Sequence, residues 1–393
     1  MPTKLRLLSL CFALCFALVA MGQDSLRISW LTCGPGQESY SLYGHTALRV
    51  QNLETGEDVV YNYGMFDFNA PHFAWRFALG QTDYFLGIQR FGDFVTNYAY
   101  HNRWVDEQEL LLRQDEKQKL VAELYRLASL EDWTYRYNFL KDNCTTRALQ
   151  SVEEALNGKI FFPPTKQRVQ PTYRHILHEY AQASPWDYVG NDLLLGAEVD
   201  KPISVRQQCF SPIYAEHFLS RLNVKRTDGS LTPLAKKPVR LVMATEQPTP
   251  NTKTPLFILL GILALIVSLS VWEAKHRQWW RAIDSCLFLV QGVAGCIVAF
   301  LFFFSEHPAV GSNWHLLWLN PLSLLLLPAL FYKRWVRAIQ WYYVYYTIAF
   351  LALCGISLLG LQEIIIEIIV LASLLLVRAW TYLYTKVRFR HLE

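Results

Sequence analysis

Apolar positions fall into three regimes along the chain. Residues 7–21 form an uncharged apolar block behind Lys4 and Arg6. The block is shorter than the roughly 20 residues of a membrane span, and it ends in Ala20-Met21-Gly22. This pattern predicts a signal peptide over 1–22, with the mature chain starting near Gln23. Cys11 and Cys15 each follow Leu, which argues against lipoprotein-type cleavage. Residues 23–224 then mix polar and apolar positions at strand and helix periods. Residues 28–32 predict a strand, 45–50 and 59–63 a hairpin, and 109–112 a further strand. Leu120, Leu124 and Leu127 predict a helix capped at Asp115. Ala148, Leu149, Val152 and Leu156 predict a second helix that starts at Cys144, behind the capping residues Asp142 and Asn143.

Residues 225–254, punctuated by Pro233, Pro238, Pro248 and Pro250, read as a Pro/Thr/Lys-rich linker or arm. Beyond them, apolar segments at 256–272, 283–304, 316–332, 341–360 and 364–383 predict five transmembrane helices over 255–393. Charge orients them. With 23–224 outside, the inward loops hold Lys275, Arg277, Arg281, Lys333, Arg334, Arg337, Arg378, Lys386, Arg388 and Arg390, while 305–315 and 361–363 hold no Lys or Arg. The expected arrangement is a multi-pass protein of the bacterial inner membrane with its folded domain in the periplasm and a cytosolic C-terminus. Composition agrees: 52% of residues are hydrophobic and 18% charged, against about a quarter charged in soluble domains. The net charge of +4, without a dense basic cluster away from the spans, excludes a nucleic-acid partner. Five spans do not divide into inverted repeats. Asp284 and Glu367 are too few intramembrane ionisable groups for a coupled ion pathway.

The candidate chemistry lies before the spans. A thiol at a helix N-terminus is biased toward the thiolate, which singles out Cys144 as a nucleophile, and the first-turn amides suit an oxyanion. His45, opening a strand, is the favoured base. His175 and His178, near Glu179, lack a recognised ligand spacing and read as a solvated helix face. His72 and His101 read as structural. No metal or cofactor is expected. Cys33, Cys144 and Cys209 leave at least one thiol unpaired, and a Cys33–Cys209 disulfide would leave Cys144 free.

A strand-opening His, a following hairpin strand and Asn-Cys at a helix start, in that order, resemble circularly permuted papain-like enzymes. The motifs are His45-Thr46-Ala47-Leu48 and Asn143-Cys144. With Cys33-Gly34-Pro35-Gly36, Tyr61-Asn62-Tyr63-Gly64 and Asp142-Asn143-Cys144-Thr145-Thr146-Arg147, followed by several spans, the chain is similar to the Bacteroidetes lipoprotein N-acyltransferase family. The resemblance implies an α+β, permuted papain-like exported domain joined to five transmembrane helices. It implies transfer of an acyl chain from a phospholipid to the N-terminal amine of a diacylglyceryl-cysteine lipoprotein. Cys144 would be the nucleophile and His45 the base. Permuted enzymes place a polar residue, often His, on the next strand; here that strand offers Asn62. Asn143, Arg147 and Tyr63, with His307 and Asn320 at the outer membrane edge, are the expected substrate contacts. The aromatic stretch 66–91 reads equally as an acyl groove or as core. The competing readings are a cell-wall peptide amidase of the same fold and a non-enzymatic membrane receptor or assembly factor.

Overall fold

The structure, a computed structural model, describes residues 25–38, 41–130, 132–164, 170–182, 184–245 and 252–389. The expected leader over 1–22, residues 246–251 of the expected linker and Arg390 lie outside them.

The N-terminal domain is built on a seven-stranded sheet of order β10-β5-β1-β2-β3-β4-β6. Its strands are β1 (Leu26–Cys33), β2 (His45–Asn52), β3 (Asp58–Met65), β4 (Asp83–Arg90), β5 (Val105–Glu109), β6 (Tyr135–Arg136) and β10 (Val239–Val242). Neighbouring strands run antiparallel. Side chains alternate between faces along a strand, and here both faces are covered. Ile28, Trp30, Leu48, Val50 and Tyr61 pack with Leu120 and Leu124 of one helix and Ala148, Leu149 and Val152 of another. Leu31, Cys33, Ala47 and Val60 pack with Phe94 and Tyr98 on the opposite face.

In chain order the helices of this domain are α1 (Phe73–Leu79), α2 (Phe91–Tyr100), α3 (Gln114–Ser129), α4 (Cys144–Ala155), α5 (Tyr173–Ala181), α6 (Pro185–Leu194), α7 (Val205–Gln208) and α8 (Pro212–Leu219). The second helix starts at Cys144 as its spacing predicts. The helix expected behind Asp115 is α3; it begins at Gln114, and its cap is Arg113, whose backbone N–H donates to Glu116 (2.8 Å), rather than Asp115.

Two expectations about the strands and the linker are corrected. The strand expected at 109–112 runs from Val105 to Glu109. Its acidic residues hide it, because Asp106 and Glu107 are buried ion-pair partners of Arg240 and Arg49. The stretch 225–254 is not simply a linker. It begins inside β8 (Asn223–Arg226), continues through β9 (Leu231–Pro233) and supplies the edge strand β10. The first lies between β7 (Gly158–Phe161) and β9 in a small three-stranded second sheet.

The C-terminal domain holds four helices long and apolar enough to span a membrane among the described residues. They are α9 (Thr254–His276), α10 (Arg281–Phe304), α12 (Val336–Leu358) and α13 (Ile366–Phe389). The third expected helix, 316–332, is instead broken into a turn at Trp314–Leu317, the short α11 (Leu322–Leu326) and a turn at Pro328–Phe331. Pro321 and Pro328 sit at the breaks, where the missing N–H stops a continuous helix. Arg378 does not lie in an inward loop. It is about 1% exposed and paired with Glu273 of α9 and Asp284 of α10. Its Nη1 also donates to Ser270 (3.0 Å).

The two domains are joined through residues 193–200. Asn313 donates to the Leu193 and Leu194 carbonyls at 2.9 and 3.2 Å. Gln362 donates to the Leu195 carbonyl (3.2 Å), and the Glu363 N–H donates to Asp200 (3.2 Å). The Gly196 N–H donates to the Ala309 carbonyl (2.7 Å). A Cβ on Gly196 would lie 1.8 Å from the Gly311 carbonyl oxygen. Gly196→Ala should therefore force the joint apart and destabilise the protein by about 1–3 kcal/mol, read as a lower melting temperature in detergent.

Candidate active site

The site forms where the start of β2 meets the start of α4. Gly44 has φ +76°, a conformation that favours glycine. A Cβ there would lie 2.7 Å from the Cys33 carbonyl oxygen. This turn delivers His45 to the first position of β2, opposite Cys33. Gly44→Ala is expected to displace His45 and slow alkylation of Cys144 several-fold; an unchanged rate would show that His45 does not depend on the turn.

Cys144 is the first residue of α4, and Asn143 caps that helix. The Asn143 side chain accepts from the Thr145 and Thr146 N–H groups at 3.0 and 2.9 Å and donates to the Phe139 and Phe210 carbonyls, both at 2.9 Å. Among the described residues no protein acceptor meets the Cys144 N–H, so the amide nearest the sulfur is the one left over. Such a donor, aimed from a helix start, is placed to meet charge developing on a carbonyl oxygen. Loss of the cap in Asn143→Ala should cost about 0.5–2 kcal/mol, measurable by thermal denaturation.

Three groups act on the thiol. Burial pushes its pKa up, but the charge of His45 and a hydrogen bond with it pull it down, as do a backbone hydrogen bond at Thr46 and the Thr145 hydroxyl; the sum lies below the ordinary value. The contrast with the other thiols is sharp, since burial raises Cys33 and Cys209 to about 12. All three cysteines are free, and no Cys33–Cys209 disulfide forms. Iodoacetamide near neutral pH should therefore label Cys144 well ahead of Cys33 and Cys209. Because the thiolate is the reactive form, the labelling rate should fall as pH drops through the depressed pKa. His45→Ala should move that midpoint to higher pH.

Asn62 on β3 is buried, and its Oδ1 lies 3.2 Å from His45 Nε2. With Nε2 held there, Nδ1 is the ring nitrogen left for the thiol. The hydroxyls of Thr46 and Thr145, the residues following His45 and Cys144, meet at 3.0 Å and fasten β2 to α4 at the level of the pair. Cys144 opens into a pocket walled by Tyr43, Tyr137, Phe139, Leu177 and Phe210, with about 390 Å³ of space including its mouth. Its aromatic and aliphatic walls suit an apolar chain.

The other expected contacts do not converge on this pocket with a free group. Asn143 borders it, but its side chain is spent on the cap. Tyr63 is core, 2% exposed, with its hydroxyl 2.8 Å from Ser151. Arg147 forms a two-point ion pair with Asp142 and lies 4.4 Å over the Tyr135 ring. His307 is 2.8 Å from the Phe77 carbonyl, and so ties the outer loop to α1. Asn320 lies within the broken segment, accepting from the Leu322 N–H (3.2 Å) ahead of α11. These residues shape the fold around the site rather than reach into it.

The remaining histidines also settle. His175 pairs with Glu179 on the surface (3.4 Å). His178 is not part of a solvated face; it meets the buried Asp192 at 2.7 Å. His101 lies 2.9 Å from the Asn97 carbonyl, and His72 precedes α1 with φ 56°. Among the described residues no cluster of three His, Cys, Asp or Glu could hold a metal ion. Sequence reasoning missed Thr46, Thr145 and the pocket wall. Thr46 and Thr145 stood beside the singled-out residues, and Tyr137 in the run before Cys144, whereas Leu177 and Phe210 carried no signal.

The family model described as the Lnb N-terminal periplasmic domain matches residues 18–179, and that of the Lnb transmembrane domain matches residues 247–389. No curated protein and no solved structure matches the chain. The first match takes in both His45 and Cys144, the second all four long apolar helices. The chain belongs to the Lnb family, as a multi-pass membrane protein with a periplasmic domain.

Proposed function

We propose that the protein is a cysteine-dependent acyltransferase that moves an acyl chain from a phospholipid to the α-amine of a diacylglyceryl-cysteine lipoprotein. Membership of the Lnb family fits a membrane enzyme of lipoprotein processing. The observation that carries the finer reading is the thiol of Cys144, lowered in pKa by His45 and placed at a helix start over an aromatic pocket. The Cys144 thiolate attacks the ester carbonyl, a C–S bond forms, and the ester C–O bond breaks. The protonated His45 gives its proton to the departing alkoxide, releasing a lysophospholipid. The lipoprotein amine then attacks the thioester; the C–N bond forms, the C–S bond breaks, and His45 takes the amine proton. Asn62 holds the imidazole ring in line for both proton transfers. The order His45, Asn62, Cys144 along the chain supports a permuted papain-like arrangement. In this reading the broken segment 314–331 makes the fifth crossing of the inner membrane, and the C-terminus is cytosolic.

Purified protein incubated with phosphatidylethanolamine vesicles should gain one acyl mass on the Cys144 peptide. Adding a diacylglyceryl-cysteine peptide with a free α-amine should discharge it as N-acyl product. Absence of any adduct, together with undiminished acyl transfer in Cys144→Ala, would overturn the reading. Hydrolysis of muropeptides by the same preparation would favour an amidase in its place.

A further inference from the structure

The region 66–91 contains more exposed aromatic surface than a domain core needs. None of the residues of α1 is buried. Phe68, Trp75 and Phe77 are 62%, 59% and 51% exposed. Exposed apolar residues scattered singly are ordinary, but a cluster of large rings marks an interaction surface.

The position of α1 says what covers it. Its C-terminal end is hydrogen-bonded to the residues that leave the outer end of α10. The Glu306 N–H donates to the Leu79 carbonyl (2.9 Å), and the Ser305 hydroxyl donates to the Ala78 carbonyl (2.9 Å). His307 meets the Phe77 carbonyl (2.8 Å). The Trp75 ring lies 5.0 Å from that of Phe300. Phe300 is inside α10, four residues before its end at Phe304, or about 6 Å along the axis at 1.5 Å per residue. Trp75 is therefore set at or below the outer end of a membrane-spanning helix. Phe303 and Phe304, 67% and 66% exposed on the same helix end, continue the apolar surface. Charged and polar pairs border it: Arg76 with Asp83 (2.5 Å), Arg136 with Asp83 (3.4 Å) and Gln81 with Glu306 (2.7 Å). Rings beside a polar band at a span end are the composition of a membrane interface.

We infer that α1 and Phe68 are an interfacial anchor, seated in the outer leaflet of the bilayer that α10 spans. The anchor is joined to the thiol site by ring contacts. Phe66 packs on Phe68 and Phe73 at 4.4 and 5.4 Å and on Tyr84 at 5.0 Å, and Tyr84 stacks on Tyr137 at 4.3 Å. Tyr137 is a wall of the Cys144 pocket. Seating in the leaflet does not rest on the acyl-transfer reading, although it places lipid where that reading needs it.

The test uses the full chain in vesicles of phosphatidylethanolamine and phosphatidylglycerol with labelled acyl chains. A benzophenone amino acid replaces Phe68, Trp75 or Phe77 in turn, each an exposed ring exchanged for another. The control position is Tyr125, 63% exposed on α3. Illumination should give lipid adducts at positions 68, 75 and 77 at least tenfold above position 125. The experiment is scored in a Cys144→Ala background, so an inert or differently employed thiol leaves the result intact. Adducts at 68, 75 and 77 no more frequent than at 125 would overturn the anchor. Adducts that persist while wild-type protein forms no acyl-enzyme and Cys144→Ala loses no acyl transfer would keep the anchor and remove the thioester mechanism.

Discussion

Cys144→Ala is expected to lower acyl transfer by about 10⁴-fold or more, the scale of losses when a nucleophile is removed from a site that works through a covalent intermediate. His45→Ala should cost about 10²- to 10⁴-fold, and the double variant should be little worse than Cys144→Ala alone, because the two act as one unit. The assay is N-acylation of a diacylglyceryl-cysteine peptide in vesicles, with a melting curve to show that each variant is folded. The structure makes these substitutions mild for the fold. The turn at Gly44, the Asn143 cap and the Thr46–Thr145 contact all remain when the thiol or imidazole is deleted. Transfer at more than about a tenth of the wild-type rate in Cys144→Ala would remove the thioester from the mechanism.

The largest stability effect is expected at Arg174. Its side chain is 0% exposed; Nη1 lies 2.7 Å from Asp192 and Nε 2.6 Å from Asp200, and Nη2 donates to the Leu195 and Gly196 carbonyls at 3.2 and 3.1 Å. Burial acts to lower the guanidinium pKa, but Asp192 and Asp200 outweigh it and hold the group charged. Removing one partner from a buried pair strands the other, at about 3–5 kcal/mol. Arg174→Ala should lower stability by that amount in denaturant titrations in detergent. Arg174→Met combined with Asp192→Leu should recover only part of it, since the fully buried carboxylate is removed while Asp200, less buried, stays without its cation. A loss below about 1 kcal/mol in the single variant would show that water reaches the site. The effect should extend to the domain joint, because Arg174 holds the stretch from Asp192 to Asp200 that docks on the outer loops.

The helix that begins at Cys144 was legible because two local signals agree there. Asx residues cap the helix, and Ala148, Leu149 and Val152 keep its apolar spacing behind Cys144. The hairpin carrying His45 was legible from alternation around a polar turn. Asn62 was reachable only through chain order, and its distance from His45 depends on the register of β2 on β3. The same motifs misled where they hold shape rather than ligand. Asn143, Tyr63 and Arg147 lie within a few residues of the singled-out positions, yet their polar atoms are used by Phe139, Ser151 and Asp142. The edge strand β10 was masked by prolines and lysines around it, and β5 by buried acids whose partners are distant in sequence. Hydropathy located all the apolar segments but counted side chains only; Pro321 and Pro328 decide the backbone of 314–331.

The buried trio of Arg378, Glu273 and Asp284 bears on how the chain is assembled in the bilayer. Arg378 carries its charge into the helix bundle near the level of the inner helix ends, since Glu273 lies three residues before the end of α9 and Asp284 three residues after the start of α10, and a charge there is costly to insert alone. Its two carboxylate partners lie on α9 and α10, which are synthesised more than ninety residues earlier, as the separation of 94 between Asp284 and Arg378 requires. The last helix thus enters a bilayer in which its counter-ions are already waiting. A chain cut short before residue 378 would leave both acids without their cation, so the final helix completes the helices made first.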